Sequence, residues 1–114
     1  MTLLEQIEEL RSKHVAAKSK AQGIMGAAYA ALTVGLDGVA VLVDITDCQI
    51  TAEFRLRREY QVRAWVREGE TVMADVSIVD GDHKHVLRSM EITHCPNTGI
   101  DELLLAVAQV EAKV

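Results

Sequence analysis

The 114-residue sequence predicts an α+β fold, a curved antiparallel β-sheet of four to five strands flanked by helices. Three observations carry that expectation. Apolar and polar residues alternate from Val39 to Val66 and again from Val72 to Ile78, which is the period of half-buried strands. The segments before and after repeat their apolar residues every three or four positions instead. Turn residues at Asp37-Gly38, Asp47-Cys48, Glu68-Gly69-Glu70 and Gly81-Asp82-His83 separate these runs without a polar linker, so residues 1–114 read as a single α+β domain. With 49% apolar and 25% charged residues, the composition excludes a disordered or collagen-like chain.

Thr2-Leu3-Leu4-Glu5 has the spacing of a capping box. Leu3, Ile7, Leu10 and His14 then recur on one helical face, while Glu5, Glu8, Glu9 and Arg11 take the others. An N-terminal amphipathic helix is expected over residues 3–20. Residues 22–36, QGIMGAAYAALTVGL, are apolar on every side, which suits a buried helix. Their alanines favour helix, whereas Asp37-Gly38 favours a strand closing a hairpin onto Val39. Helix is the preferred reading. Asp37 is the only charge between Ala21 and Val43, a stretch long enough for a bilayer. An aspartate inside a span costs about 2.5–3.5 kcal/mol. Two core elements joined by a turn are therefore expected, and no membrane span.

Val39, Val41, Val43 and Ile45 share one face of the first strand, and Ile50, Ala52, Phe54 and Leu56 one face of the next. A two-residue connection at Asp47-Cys48 sets Ile45 opposite Ile50, Val43 opposite Ala52, Val41 opposite Phe54 and Val39 opposite Leu56. Every apolar side chain then meets an apolar partner, which fixes the register. Even-numbered apolar positions continue through Tyr60, Val62, Ala64 and Val66, interrupted only by Arg58. That continuity predicts one long bent strand, or two strands sharing a bulge near Arg57-Arg58.

A three-residue loop at Glu68-Gly69-Glu70 pairs Val66 with Val72, Ala64 with Ala74, Val62 with Val76 and Tyr60 with Ile78. The same register puts Arg63 opposite Asp75 and Trp65 opposite Met73 on the other face. The turn at Gly81-Asp82-His83 leads into Val86, Met90 and Ile92, and Pro96 ends the sheet. Thr98-x-x-Asp101 is expected to cap a C-terminal helix striped by Ile100, Leu103, Leu104, Val107 and Val110.

Seventeen acidic against twelve basic residues give a charge of −5, which repels phosphate backbones and counts against nucleic acid as a partner. The chain opens Met1-Thr2-Leu3-Leu4-Glu5, with no basic segment leading into an apolar core. A cytoplasmic setting with reduced thiols is expected. No dinucleotide, Walker, HExxH or GxSxG spacing occurs. His83-x-His85 and His94-Cys95 are the metal-like groups, and at about 3.3 Å per strand residue they lie roughly 30 Å apart. No metal site and no cofactor are expected. Cys48 and Cys95 lack a CxxC partner and an evident His–acid arrangement, so no catalytic residue is assigned.

The candidate site residues are binding residues. Arg58 and Arg88 fall by parity on the otherwise apolar face, where a guanidinium needs an anionic or carbonyl partner. They would line a pocket for an anionic ligand, unless a bulge at Arg58 and a register change at Arg88 turn them outward. Trp65 and Met73, with Arg55, Arg57, Arg63 and Arg67 around them, suit a protein interface.

VLVDI, YQVRAWVREG, VMADVSIVDGD and VLRSMEI follow the order and length of the later strands of hotdog-fold proteins. Residues 39–94 thus resemble a hotdog sheet, with residues 22–36 in the place of that family's central helix. The resemblance implies a dimer with acyl-thioester chemistry at the subunit interface. Tyr29 and Asp37 would flank its cleft, and Arg58 would meet the phosphates of coenzyme A. The segment 22–36 has no His-Gly-Gly start and no carboxylate to serve as base or nucleophile. A long N-terminal helix, hairpins and a closing GIDELLLAVAQVEAKV are similar to the small dimeric nucleoid-associated proteins of the YbaB type.

These readings predict a small cytoplasmic module, non-enzymatic and self-associating as a homodimer, that binds a protein partner or a small apolar or anionic ligand. So much apolar surface in a small domain calls for a second subunit. A hotdog-like acyl-CoA thioesterase or acyl-CoA binder is the alternative.

Overall fold

The computed structural model describes residues 21–46, 48–67 and 71–113. The amphipathic helix expected over 3–20, with its capping box, lies outside them. Residues 21–35 form a helix, α1, so helix prevails over strand in this segment. Ala21, Met25, Ala28 and Leu32 make one buried stripe at helical spacing. The opposite side is open, which corrects the expectation of burial on every side. Small residues there (Gly23, Gly26, Ala30) add apolar composition without demanding a covering layer. The helix ends in a turn in which Gly38 takes a left-handed φ of 80°. Asp37-Gly38 therefore closes a helix and does not open a hairpin.

The strands are β1 (Val41–Ile45), β2 (Gln49–Arg55), β3 (Glu59–Arg67), β4 (Thr71–Asp80) and β5 (His83–Glu91), followed by helix α2 (Pro96–Ala112). They form a five-stranded antiparallel sheet in the order β1-β2-β3-β4-β5, so each strand lies beside its neighbour in sequence. In β1 and β2, Ile45 faces Ile50, Val43 faces Ala52 and Val41 faces Phe54, as apolar matching requires. In β3 and β4, Val66 faces Val72, Ala64 faces Ala74, Val62 faces Val76 and Tyr60 faces Ile78. Arg63 faces Asp75 and Trp65 faces Met73 on the other side.

Two further expectations are corrected. The long bent strand is a hairpin: β2 and β3 run antiparallel, with Phe54 opposite Tyr60 and the chain reversing at Leu56-Arg57-Arg58. A three-residue loop returns the chain with its parity intact, so even-numbered apolar positions continue across the turn. The second correction concerns α2. It starts at Pro96 with Cys95 as N-cap and no side-chain cap, so Thr98 and Asp101 lie inside the helix. Proline at a first helical position loses no intrahelical bond, and its fixed φ suits the helix.

Both helices pack on the same face of the sheet. Ala21, Met25, Ala28 and Leu32 of α1, and Ile100, Leu103 and Val107 of α2, join Ile50, Ala52, Phe54, Tyr60, Val62, Ala64, Val72, Ala74 and Val76 in one buried cluster. Each fully buried valine there contributes about 1.5–3 kcal/mol. Phe54 and Tyr60 stack at 5.5 Å between ring centroids. α1 lies over β1 and β2, and α2 over β4 and β5. The helices meet where Leu104 covers Gly35, leaving no room for a Cβ. Gly99 likewise lets the first turn of α2 settle onto the buried side chain of Ile92.

Candidate functional site

The strand order leaves β1 and β5 as the two edges, and they differ in chemistry. β5, HKHVLRSME, carries His83, Lys84, His85, Arg88 and Glu91, and its pairing with β4 is interrupted by an irregularity at Val76/Ser77. Charges and bulges of this kind blunt an edge against further pairing. β1, VLVDI, has one charge, Asp44, and its register with β2 is unbroken. It is a short, regularly paired, apolar edge.

The direction of its backbone groups follows from the ladder. The Thr46 N–H donates to the Gln49 carbonyl at 2.8 Å, which makes Thr46 and Gln49 a hydrogen-bonded pair. In an antiparallel ladder such pairs alternate, so Asp44 and Leu42 also bond to β2. Val41, Val43 and Ile45 thus turn their N–H and C=O groups to the open side.

Apolar side chains frame this edge. Leu42 is 72% exposed and Ile45 60%, and on α1 above the edge Tyr29 is 39% exposed. Two clefts run between α1 and β1. One, of about 240 Å³, is lined by Leu32, Thr33, Val39, Val41 and Val43; the other, of about 370 Å³, by Met25, Gly26, Ile45 and Ile50. Tyr29 lines both.

Among the described residues, the sheet face opposite the helices is largely polar and internally paired. The Gln61 amide donates to Glu53 at 3.2 Å, and Lys84 donates to the Gln61 carbonyl oxygen at 2.7 Å. Arg63 bonds Asp75 at 2.9 Å and lies 4.4 Å above the centre of the Trp65 ring. A hollow of about 460 Å³ on this side is lined by Leu42, Glu53, Arg55, Glu59, Val79 and Lys84. Its charges are matched, since Arg55 pairs with Glu59 at 3.6 Å and Glu53 and Lys84 share Gln61.

The far end of α2 is tied to the β2–β3 turn. One Glu111 oxygen accepts the Arg57 backbone N–H at 2.7 Å and the other accepts the Tyr60 hydroxyl at 2.8 Å. The Arg57 N–H, above all, holds the Glu111 carboxyl below its ordinary value. Burial, and then the bond to Glu111, pushes the Tyr60 phenol up to about 12.

The residues singled out from sequence are not gathered into one pocket. Arg58 sits exposed in the β2–β3 turn, beside a hollow of about 330 Å³ shared with Arg55, Glu59 and Asp80. The parity argument placing it on the apolar face fails because it lies in the loop. Arg88 stands opposite buried Val76 on the helix side, yet near the sheet's margin, and reaches Glu102 of α2 at 2.8 Å. Asp37 is exposed in the turn after α1, and Tyr29 faces the β1 clefts. Trp65 and Met73 are half-buried neighbours on the polar face.

Leu42, Val43 and Ile45 were missed as site residues. The signal was available in the contrast between VLVDI and HKHVLRSME, once the strand order made both of them edges.

Among the described residues, no group of three or more His, Cys, Asp or Glu side chains is placed to hold a metal ion. No helix among them is long and apolar enough to cross a membrane. Comparison with protein-family models, with curated proteins and with solved structures gave no match.

Proposed function

We propose that this chain is a non-enzymatic cytoplasmic module that works as a homodimer and serves by binding. The observation that supports this reading is a group of exposed large apolar side chains, Tyr29, Leu42 and Ile45, gathered at the α1/β1 flank, while Leu56, Val86 and Leu105 are exposed singly elsewhere. Tyr29 and Ile45 lie on the helix side of this flank and Leu42 on the other face of the same edge strand, whereas the middle of that face carries paired polar groups. A small domain with such a flank gains by covering it with a second subunit. Native mass spectrometry and light scattering on the purified protein test the reading. The mass of two copies is expected at micromolar concentration, and a monomer throughout that range would remove the proposal.

A second reading is favoured by Tyr29, which lines two apolar clefts. They suit a small apolar ligand, including the acyl chain of the hotdog-like alternative. Added mass matching a fatty acid or acyl-CoA in the same spectra would support it. Absence of saturable binding to a panel of acyl-CoA esters would count against it.

A further inference from the structure

We infer that two copies of this chain join edge to edge through β1, pairing antiparallel about Val43, so that two five-stranded sheets become one. The inference rests on the homodimer reading above and names the surface and register that reading leaves open.

Four observations lead to a second copy as the occupant. First, the edge is bare on one side of the sheet only: β5 carries charges and a pairing irregularity, and β1 carries neither device beyond Asp44.

Second, β1 is complementary to itself. A two-fold axis at Val43 sets Val43 against Val43 of the second copy, and Val41 against Ile45, in both directions. All three are β-branched residues on the helix side of the sheet. The outward N–H and C=O groups of Val41, Val43 and Ile45 then meet their counterparts, giving about six inter-strand hydrogen bonds.

Third, the charges select this register. With the axis at Val43, Asp44 faces Leu42 of the other copy. Moving the axis to Asp44 sets two carboxylates against each other, and moving it to Leu42 leaves the Ile45 backbone groups unpaired.

Fourth, the helices fit. α1 lies over the β1–β2 pair, so the axis places the two α1 helices two strand spacings apart. At about 4.8 Å per spacing this is roughly 10 Å, the packing distance of neighbouring helices. Tyr29 and the two clefts beside it would be enclosed between them. A lone extended peptide would satisfy the backbone but leave that inter-helix space open.

The test uses the full chain. Val43→Pro removes an N–H that points away from β2, so the intramolecular ladder keeps its bonds while the edge loses its central donor. Should proline perturb the strand itself, Leu42→Lys/Ile45→Lys places guards on two side chains that are already exposed. Both variants are expected to weaken the dimer at least a hundredfold by light scattering, with unchanged circular dichroism.

The register is read separately by disulfide formation with Cys48 and Cys95 replaced by serine. Val43→Cys should crosslink the dimer on oxidation, since paired residues place their Cα atoms about 5.5 Å apart, and Asp44→Cys should not. A dimer that survives Leu42→Lys/Ile45→Lys would overturn the β1 assignment while leaving the homodimer intact. Crosslinking through Asp44→Cys instead of Val43→Cys would overturn the register. A wild-type monomer would overturn both this inference and the homodimer reading.

Discussion

The two edges of this sheet were built from the same kind of element, a terminal strand of an antiparallel meander, and yet they present opposite surfaces. β5 is long, carries two histidines, a lysine, an arginine and a glutamate, and meets β4 through an irregular register. β1 is five residues of VLVDI in unbroken register, and among the described residues no strand pairs with its outward backbone groups. α2 reinforces the contrast, because Arg88 on β5 is held by Glu102, whereas the clefts under α1 leave the flank of β1 open. The lesson is that edge protection is a property of residues, not of position.

Changes that exchange the characters of the two edges test that lesson most directly. The largest effect is expected from guarding β1, where Leu42→Lys/Ile45→Lys should turn a dimer into a monomer. The reciprocal change, His83→Thr/Lys84→Val/His85→Thr, strips β5 of its guards and should give concentration-dependent assemblies larger than a dimer. If scattering still reports a dimer, the irregularity at Val76/Ser77 protects β5 without help from charge.

A smaller effect is expected where α2 seats on the β5 half. Gly99→Ala drives a methyl group into Ile92 and should cost about 1–3 kcal/mol in urea denaturation. The dimer contact should survive it, because β1 is remote from that helix. A destabilised monomer would mean that the two halves are coupled.

Next in size is Tyr60→Phe. It removes the hydroxyl donor to Glu111 and should cost about 0.5–1.5 kcal/mol. The pH dependence has a definite sign at this contact. The fold holds Glu111 below its ordinary value of 4.5, so its contribution is present above that value and fades as pH falls through the lowered one. Tyr60 behaves in the opposite sense. Its pKa is raised from 10.0 to about 12, so its contribution is full below pH 10 and disappears as pH rises through about 12. Ultraviolet titration of the phenols in wild type and Tyr60→Phe checks the alkaline limb. The smallest effect, no change in dimer mass, is expected for Trp65→Glu, because that side chain lies beneath Arg63 on the polar face. A monomeric Trp65→Glu variant would move the interface to the sheet face.

Much of the fold was legible in the residues themselves. Alternation fixed the β1–β2 and β3–β4 registers because a one-residue slip would turn Val43, Ala52, Val62 and Val76 out of the core. The β2–β3 turn was illegible for the same reason. Its three residues, Leu56-Arg57-Arg58, preserve the alternation that would have marked a break. The open side of α1 was hidden by composition, since glycine and alanine count as apolar whether covered or not. Of the candidate site, Tyr29 lines the clefts, but Leu42, Val43 and Ile45 could not be picked out from VLVDI alone. Whether such a strand is central or terminal depends on its neighbours in the sheet, which no local pattern records.

The sequential strand order has one more consequence, and it concerns time. Each β-pairing joins neighbours along the chain across a short turn, so the loop-closure cost of every hairpin is low and the sheet can grow one strand after another. The Glu111 contacts are different, because they join residues 51 and 54 positions apart. By this reasoning the clamp closes after the rate-limiting step, a hypothesis that stopped-flow kinetics can refute. Loss of the Tyr60 hydroxyl should quicken unfolding and leave the refolding rate unaltered, whereas slower refolding would place the clamp in the folding nucleus.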